Sequence, residues 1–218
     1  MKIENLELIT NPINQLNLYG FKYYFNFFDK LFEKNKLPHS ILLTGSKGLG
    51  KATFVYHFIN FLLSIDEENK YDKKNFSIKP NNSSYKLTTN STHSNLFILD
   101  ALDQENIKIE QIRKLILFLN KTTYNKALKL VLIDNAEKLN INSSNALLKS
   151  IEEPSKNTYF FIINNDSKKL LNTIKSRCIN FNISLNFFEK KDIFNEIIKK
   201  YELSFSESDL NNFLYFDT

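Results

Sequence analysis

The chain has 218 residues, enough to bury one full core and part of a second, and its 42% hydrophobic content is ordinary for a globular protein. A formal net charge of +5 permits contact with nucleic acid, but no dense basic cluster demands it. The single cysteine, Cys178, excludes an internal disulfide and a multi-cysteine zinc site. No apolar run approaches membrane-spanning length, and the start Met1-Lys-Ile-Glu-Asn-Leu-Glu-Leu lacks the core of a signal peptide, so a soluble, cytoplasmic protein without a membrane partner is expected.

From Leu16 to Glu33, Leu, Tyr and Phe recur at helical spacing and predict a helix, and Pro38 punctuates the turn that follows. His39 to Thr44 reads as a short buried strand running into Gly45-Ser46-Lys47-Gly48-Leu49-Gly50-Lys51-Ala52-Thr53. The whole chain holds four glycines, and three of them fall in this stretch. A strand entering a glycine-rich turn that ends in Lys is the sequence form of a phosphate-binding P-loop. The glycines let successive N–H groups turn inward at an anion, Lys51 reaches the outer phosphates, and the following helix adds its positive end. One position departs from the pattern: the residue after the lysine would offer Mg²⁺ a hydroxyl, and here it is Ala52. A bare strand–turn–helix junction is the competing reading of the same residues.

Thr53 onward continues as an apolar segment of helical length. Asp66 to Ser94 is polar, rich in Asn, Lys, Ser and Thr, and predicts a loop or a poorly ordered insertion. Then come a strand at Leu96–Leu99 and a helix from about Ile109 to Leu119 with Ile112, Leu115, Ile116 and Leu119 on one face. A strand at Leu128–Ile133, a helix at Asn145–Ile151, a strand at Tyr159–Ile163, a helical turn at Leu170–Ile174 and a strand at Cys178–Ile183 complete the series. This alternation implies an α/β fold, a parallel sheet covered by helices on both faces. Beyond Leu185 only helices are predicted, Phe187 to Tyr201 and Ser206 to about Leu214, which divides the chain into a first domain, residues 1–183, and a second beginning near 184.

An apolar strand ending in Asp134 is where a P-loop fold holds Mg²⁺; a mere helix cap is the bland alternative. In many such ATPases a Glu follows that Asp and polarises the attacking water. Here the neighbour is Asn135, which cannot act as a base, and Glu137, two residues on, is expected to point elsewhere. Arg113 and Arg177 are the only arginines in a chain that otherwise uses lysine, and an arginine offers a planar, permanently charged fork. Arg177 lies in Ser176-Arg177-Cys178, where its position alone leaves both a specific role and an ordinary surface charge open.

Taken together, His39-Ser-Ile-Leu-Leu with the loop, Ile133-Asp134, Asn145-Ala-Leu-Leu-Lys-Ser-Ile-Glu-Glu-Pro154 and Ser176-Arg177-Cys178 resemble the bacterial clamp-loader AAA+ subunits of DNA polymerase III holoenzyme, the delta-prime type in particular. The resemblance implies a P-loop AAA+ domain followed by the start of a small helical lid, with a helical collar absent from these residues. It implies a complex that loads a sliding clamp onto primer-template DNA, with gamma/tau and delta subunits as partners and ATP bound between subunits. It further implies a stator whose own ATPase is weak or absent, Arg177 serving as an arginine finger in a neighbour's ATP site, and Asn165 at the sensor position. Residues 66–94 replace the four-cysteine zinc module usual in the family, so no zinc is expected. ATP or ADP is expected on Gly45–Thr53, with Mg²⁺ at Asp134. A working gamma/tau-type ATPase and an unrelated P-loop kinase are the alternatives; Ala52 and Asn135 count against the first, and the scarcity of arginine against the second.

Overall fold

In the computed structural model, residues 11–101, 105–121, 128–165 and 170–201 are described. Five strands, β1 (Ser40–Gly45), β2 (Leu96–Leu99), β3 (Lys129–Ile133), β4 (Thr158–Asn165) and β5 (Ile179–Asn182), form one sheet in the order β2-β3-β4-β1-β5. Every pairing is parallel: Leu43 stands opposite Ile163 on one side and Phe181 on the other, and Ile133 lies opposite both Leu99 and Ile162. The helices are α1 (Lys22–Glu33), α2 (Lys51–Leu63), α3 (Ser83–Thr89), α4 (Ile109–Asn120), α5 (Ile141–Glu152), α6 (Asn172–Lys175) and α7 (Phe187–Tyr201).

Each central strand is apolar on both faces because both are covered. Ile41, Leu43, Leu130, Leu132, Phe161 and Ile163 face one core with Phe25 and Phe28 of α1 and Phe54 and Phe58 of α2. Their neighbours Leu42, Val131, Ile133, Phe160 and Ile162 face the other, with Ile112 and Leu115 of α4, Leu147 of α5 and Ile174 of α6. Burying each such side chain contributes roughly 1.5–3 kcal/mol, so the two faces of the sheet carry much of the fold's hydrophobic stabilisation. Among the described residues no helix is long and apolar enough to cross a membrane.

Two expectations need correction. The helix predicted from Leu16 begins only at Lys22: Gly20 turns at φ +74°, and Leu18 N–H donates to the Phe76 carbonyl (2.9 Å) while Ile78 N–H donates to that of Leu16 (2.8 Å). The stretch 66–94, expected to be a loop or poorly ordered, is built into the fold. Tyr71, Phe76 and Ile78 are buried in the first core, and α3 stands within it. Asn82 caps α3 by accepting from Tyr85 N–H (2.6 Å) and receives the Asn60 side chain (2.8 Å). The Glu67 carboxylate accepts from the N–H groups of Ser83 and Ser84 (both 2.9 Å) at the positive end of that helix. Asn82, Ser84 and Glu67 are thus satisfied within the protein, while Lys74, Lys79 and Lys86 keep the segment's outer side in water.

The helix predicted at Asn145 starts earlier, at Ile141, because Asn140 caps it by accepting from Ser143 N–H (2.8 Å). The predicted helix Phe187–Tyr201 is present with those bounds, its Ile193 closing on Gly20 where any side chain would collide. The predicted helix at 206–214 lies outside the described residues.

Candidate nucleotide site and the opposite edge of the sheet

In a parallel sheet, the strand ends that carry the loops entering the next helices lie along one edge, the usual place for a ligand. Gly45 ends β1, Asn165 ends β4, Asp134 follows β3 and Asp100 follows β2, so all four stand along that edge. The loop Gly45–Gly50 needs its glycines. A Cβ on Gly45 (φ +147°) would come within 2.3 Å of the Ile183 carbonyl oxygen, and Gly50, at φ +89°, is the left-handed N-cap of α2. Ser46, Lys47 and Leu49 fill the turn, and Lys51, Ala52 and Thr53 form the first turn of α2, whose N-terminus follows the loop directly. Ala52 packs against the first core and supplies no hydroxyl.

Lys51 does not reach outward. Only 3% exposed, its ammonium donates to the carbonyls of Gly45 and Ser46 (2.7 Å to Ser46) and to Asn165 Oδ1 (3.1 Å). Asn165 is held in turn: its Nδ2 donates to Glu137 Oε1 (2.7 Å) and to Asn135 Oδ1 (3.4 Å), and its backbone N–H to Glu137 Oε2 (3.3 Å). Glu137, expected to point elsewhere, therefore enters the site. Asn135 adopts a left-handed conformation (φ 56°, ψ 48°), tolerable for Asn, and opens the short 3₁₀ turn Ala136–Lys138 that swings Glu137 back. Asn135 also donates to Asp100 Oδ1 (3.1 Å).

Asp134 does not cap the following helix, a task that Asn140 performs. Its Oδ1 accepts from the Asn135 N–H (2.8 Å). Burial pushes its carboxyl up to about 6, aided by the negative charges of Asp100 and Glu137 and opposed by the Asn135 N–H bond and by Lys51. A carboxylate kept under that strain suits a dication, whose charge would relieve it. The glycine turn, the α2 N-terminus and Lys51 fit the phosphates of a nucleotide, and Asp134 fits one ligand position of a Mg²⁺ whose others would come from phosphate and water. Among the described residues no group of three or more His, Cys, Asp or Glu side chains is arranged to hold a metal on its own.

Arg177 belongs to the other edge. It precedes β5, whose Ile179 lies opposite Ile41 near the start of β1, so it sits a strand length, roughly 17 Å, from the Gly45 end. Its Nε donates to Glu152 Oε2 (3.0 Å) and its Nη1 to the Thr173 carbonyl (3.0 Å). The end of α5 reaches the same edge, as the bond from Ser40 Oγ to the Ile151 carbonyl (3.0 Å) shows. Cys178 is buried, and burial pushes its thiol up to about 12, so it is a core residue without thiolate character. Sequence reasoning missed Asp100, Glu137 and Glu152 as parts of these two sites; none stands in a recognisable spacing with its partner.

The family described as DNA polymerase III, delta subunit, matches residues 22–186. A DNA polymerase III subunit delta' of Pseudomonas aeruginosa is 34% identical over 142 residues, 65% of this chain and 42% of that protein. The delta' subunit of Bacillus subtilis is 32% identical over 148 residues, 67% of this chain and 42% of that protein. A DNA polymerase III subunit gamma of Buchnera aphidicola is 29% identical over 205 residues, 91% of this chain and 53% of that protein. The chain thus spans about half the length of these relatives. Among solved structures, the Thermotoga maritima RuvB Holliday junction branch migration motor superposes with a TM-score of 0.52 at 14% identity, covering 89% of this chain and 56% of that one, a likeness of fold. With the parallel sheet, the glycine loop and the family match spanning most of its length, the chain belongs to the delta-prime-like clamp-loader family of DNA polymerase III.

Proposed function

We propose that the chain is the nucleotide-binding-fold part of a delta-prime-type stator, which helps load a sliding clamp onto primer-template DNA and supplies Arg177 in trans to a neighbour's ATP site. On this reading residues 1–183 form the AAA+ domain, residues from 184 begin the lid, and gamma/tau and delta subunits are the partners. The observation that carries it is the separation of the two edges. Arg177 stands a strand length from its own P-loop, and its guanidinium is anchored on Glu152 and the Thr173 carbonyl. Phosphoryl transfer spreads negative charge over the γ-phosphate oxygens, and a fixed planar cation from outside stabilises it. The chain's own site lacks the hydroxyl at Ala52 and has Asn135 where a base is needed, so nucleotide held on Gly45–Thr53 with Mg²⁺ at Asp134 is turned over slowly at most. Asn165 would act as a sensor only after its amide leaves Glu137.

The test is the DNA- and clamp-stimulated ATPase of the reconstituted complex built with the full-length protein. Arg177→Ala is expected to lower it while leaving assembly intact, and Arg177→Lys to rescue poorly, since an ammonium lacks the two-pronged geometry. Arginine fingers are worth about 10³–10⁵ in rate at one site; a complex with several sites loses less in total. Lys51→Ala is expected to change little. The reverse pattern, with Lys51→Ala stopping the complex and Arg177→Ala harmless, would make this a motor subunit. That second reading has its own support in the intact Lys51 loop and in the gamma-subunit relative aligned over 91% of the chain.

A further inference from the structure

An ammonium has three N–H donors, and at Lys51 acceptors of the chain itself receive them, among them the carbonyls of Gly45 and Ser46 and Asn165 Oδ1. A phosphate entering the loop has to draw Lys51 off these partners. Asn165 is the side chain among these partners, and it has little freedom. An Asn amide can turn either its oxygen or its NH₂ toward a neighbour, and Glu137 decides which. The carboxylate takes Nδ2 at 2.7 Å and the backbone N–H at 3.3 Å, while Asn135 Oδ1 takes the second Nδ2 hydrogen at 3.4 Å. Only the carbonyl oxygen of the amide is left, and it faces Lys51. A side chain set to accept from an ammonium has no donor to offer a phosphate oxygen. Both Asn165 (5% exposed) and Lys51 (3% exposed) are buried, so water does not substitute freely for these bonds.

We propose that Glu137 is a positioning residue that turns Asn165 into a clamp on Lys51, holding the ammonium on its own loop and lowering the affinity of the site for the phosphates of a nucleotide. The effect on affinity rests on the reading that Gly45–Thr53 binds nucleotide; the clamp itself rests on geometry alone. Binding to a minority conformation weakens the observed affinity by the fraction of chains in that conformation. A charge-assisted hydrogen bond is strong enough to make that fraction about a tenth or less. Glu137→Gln replaces one acceptor by a donor that faces Asn165, and Asn165→Ala removes the bond to Lys51 outright.

Two measurements on the purified chain separate the outcomes: Mg·ADP affinity by calorimetry, and the acetylation rate of Lys51 by acetic anhydride read by mass spectrometry, with melting temperature as the check on folding. Both variants are expected to bind Mg·ADP about tenfold more tightly and to acetylate Lys51 faster, and Lys51→Ala to bind none. A change in melting temperature alone, with affinity and acetylation unmoved, would reduce Glu137 to a structural residue and overturn the proposal. Tight binding by the unaltered chain that neither variant improves would overturn it as well. Faster Lys51 acetylation in both variants, with no form binding Mg·ADP, would remove the nucleotide reading and leave the clamp standing.

Discussion

Asp134 shows how one residue's environment points to a use. Its carboxyl is pushed from the ordinary carboxylate range up to about 6, first by burial and then by Asp100 and Glu137. A group whose folded pKa lies above its unfolded value costs stability wherever it is ionised in the native state, here above about pH 6, and the cost is lifted as pH falls toward 3.8. The size is about 2–3 kcal/mol, from roughly two pKa units at 1.36 kcal/mol each. Asp134→Asn keeps an oxygen for the Asn135 N–H and removes the charge, so it is expected to raise the melting temperature of the ligand-free chain at pH 7.5 while weakening Mg²⁺-dependent nucleotide binding. The gain should shrink at pH 5, where the unaltered side chain is protonated. A variant that melts lower than the parent at pH 7.5 would show that the carboxylate is paired more favourably than its surroundings imply.

Elements here are held at their ends by side chains from distant parts of the chain, and this governs what was legible in the sequence. Lys129, the first residue of β3, is buried, and its ammonium donates to the Phe118 (3.2 Å), Leu119 (2.6 Å) and Lys121 carbonyls at the C-terminus of α4. Burial lowers its pKa, and the helix carbonyls keep the charge tolerable. Lys129→Met preserves the apolar stem but removes the donor from the half-buried carbonyls at the end of α4, a loss of about 0.5–1.5 kcal/mol. It is expected to lower the urea midpoint with an unchanged slope; an unchanged midpoint would mean that water satisfies those carbonyls. The apolar runs of β1, β3 and β4 could be read directly because burial on both faces leaves no polar interruption. The P-loop stood out because its geometry needs glycines that the rest of the chain avoids. What could not be read were bonds made across the fold. Asn82, Ser84 and Glu67 looked like a solvated loop until Asn60 and the N-terminus of α3 were placed beside them. Glu137 was misjudged because its direction depends on the left-handed turn at Asn135, and Glu152 because its partner lies 25 residues away.

At the scale of the molecule, the sheet is a partition with the glycine loop and Lys51 at one edge and an anchored arginine at the other, and its stability has to hold both in register. One buried group reports on that stability directly. His57, on α2, is fully buried; its Nδ1 lies 3.0 Å from the Tyr71 hydroxyl and its Nε2 3.1 Å from the Gln15 carbonyl, so it joins the helix to the 66–94 segment and to the N-terminal segment. Burial pushes its pKa from 6.5 down to about 3, against a smaller opposing pull from the Gln15 carbonyl. The folded state therefore refuses a proton that the unfolded chain accepts below 6.5. Stability from this group is complete above pH 6.5 and is lost progressively as pH falls toward 3. Asp134 runs the other way between 6 and 3.8, and a single unfolding profile mixes the two. The comparison that isolates His57 is with His57→Gln, whose amide can donate to the Gln15 carbonyl and accept from Tyr71. Near pH 7 the parent is expected to be at least as stable as the variant. By pH 5 it should have lost about 2 kcal/mol relative to the variant, from a limiting slope of 1.36 kcal/mol per pH unit. Urea unfolding of both proteins at pH 7.5, 6 and 5 decides it: a difference that stays constant with pH would mean that His57 is protonated in the folded state and that the core admits its charge.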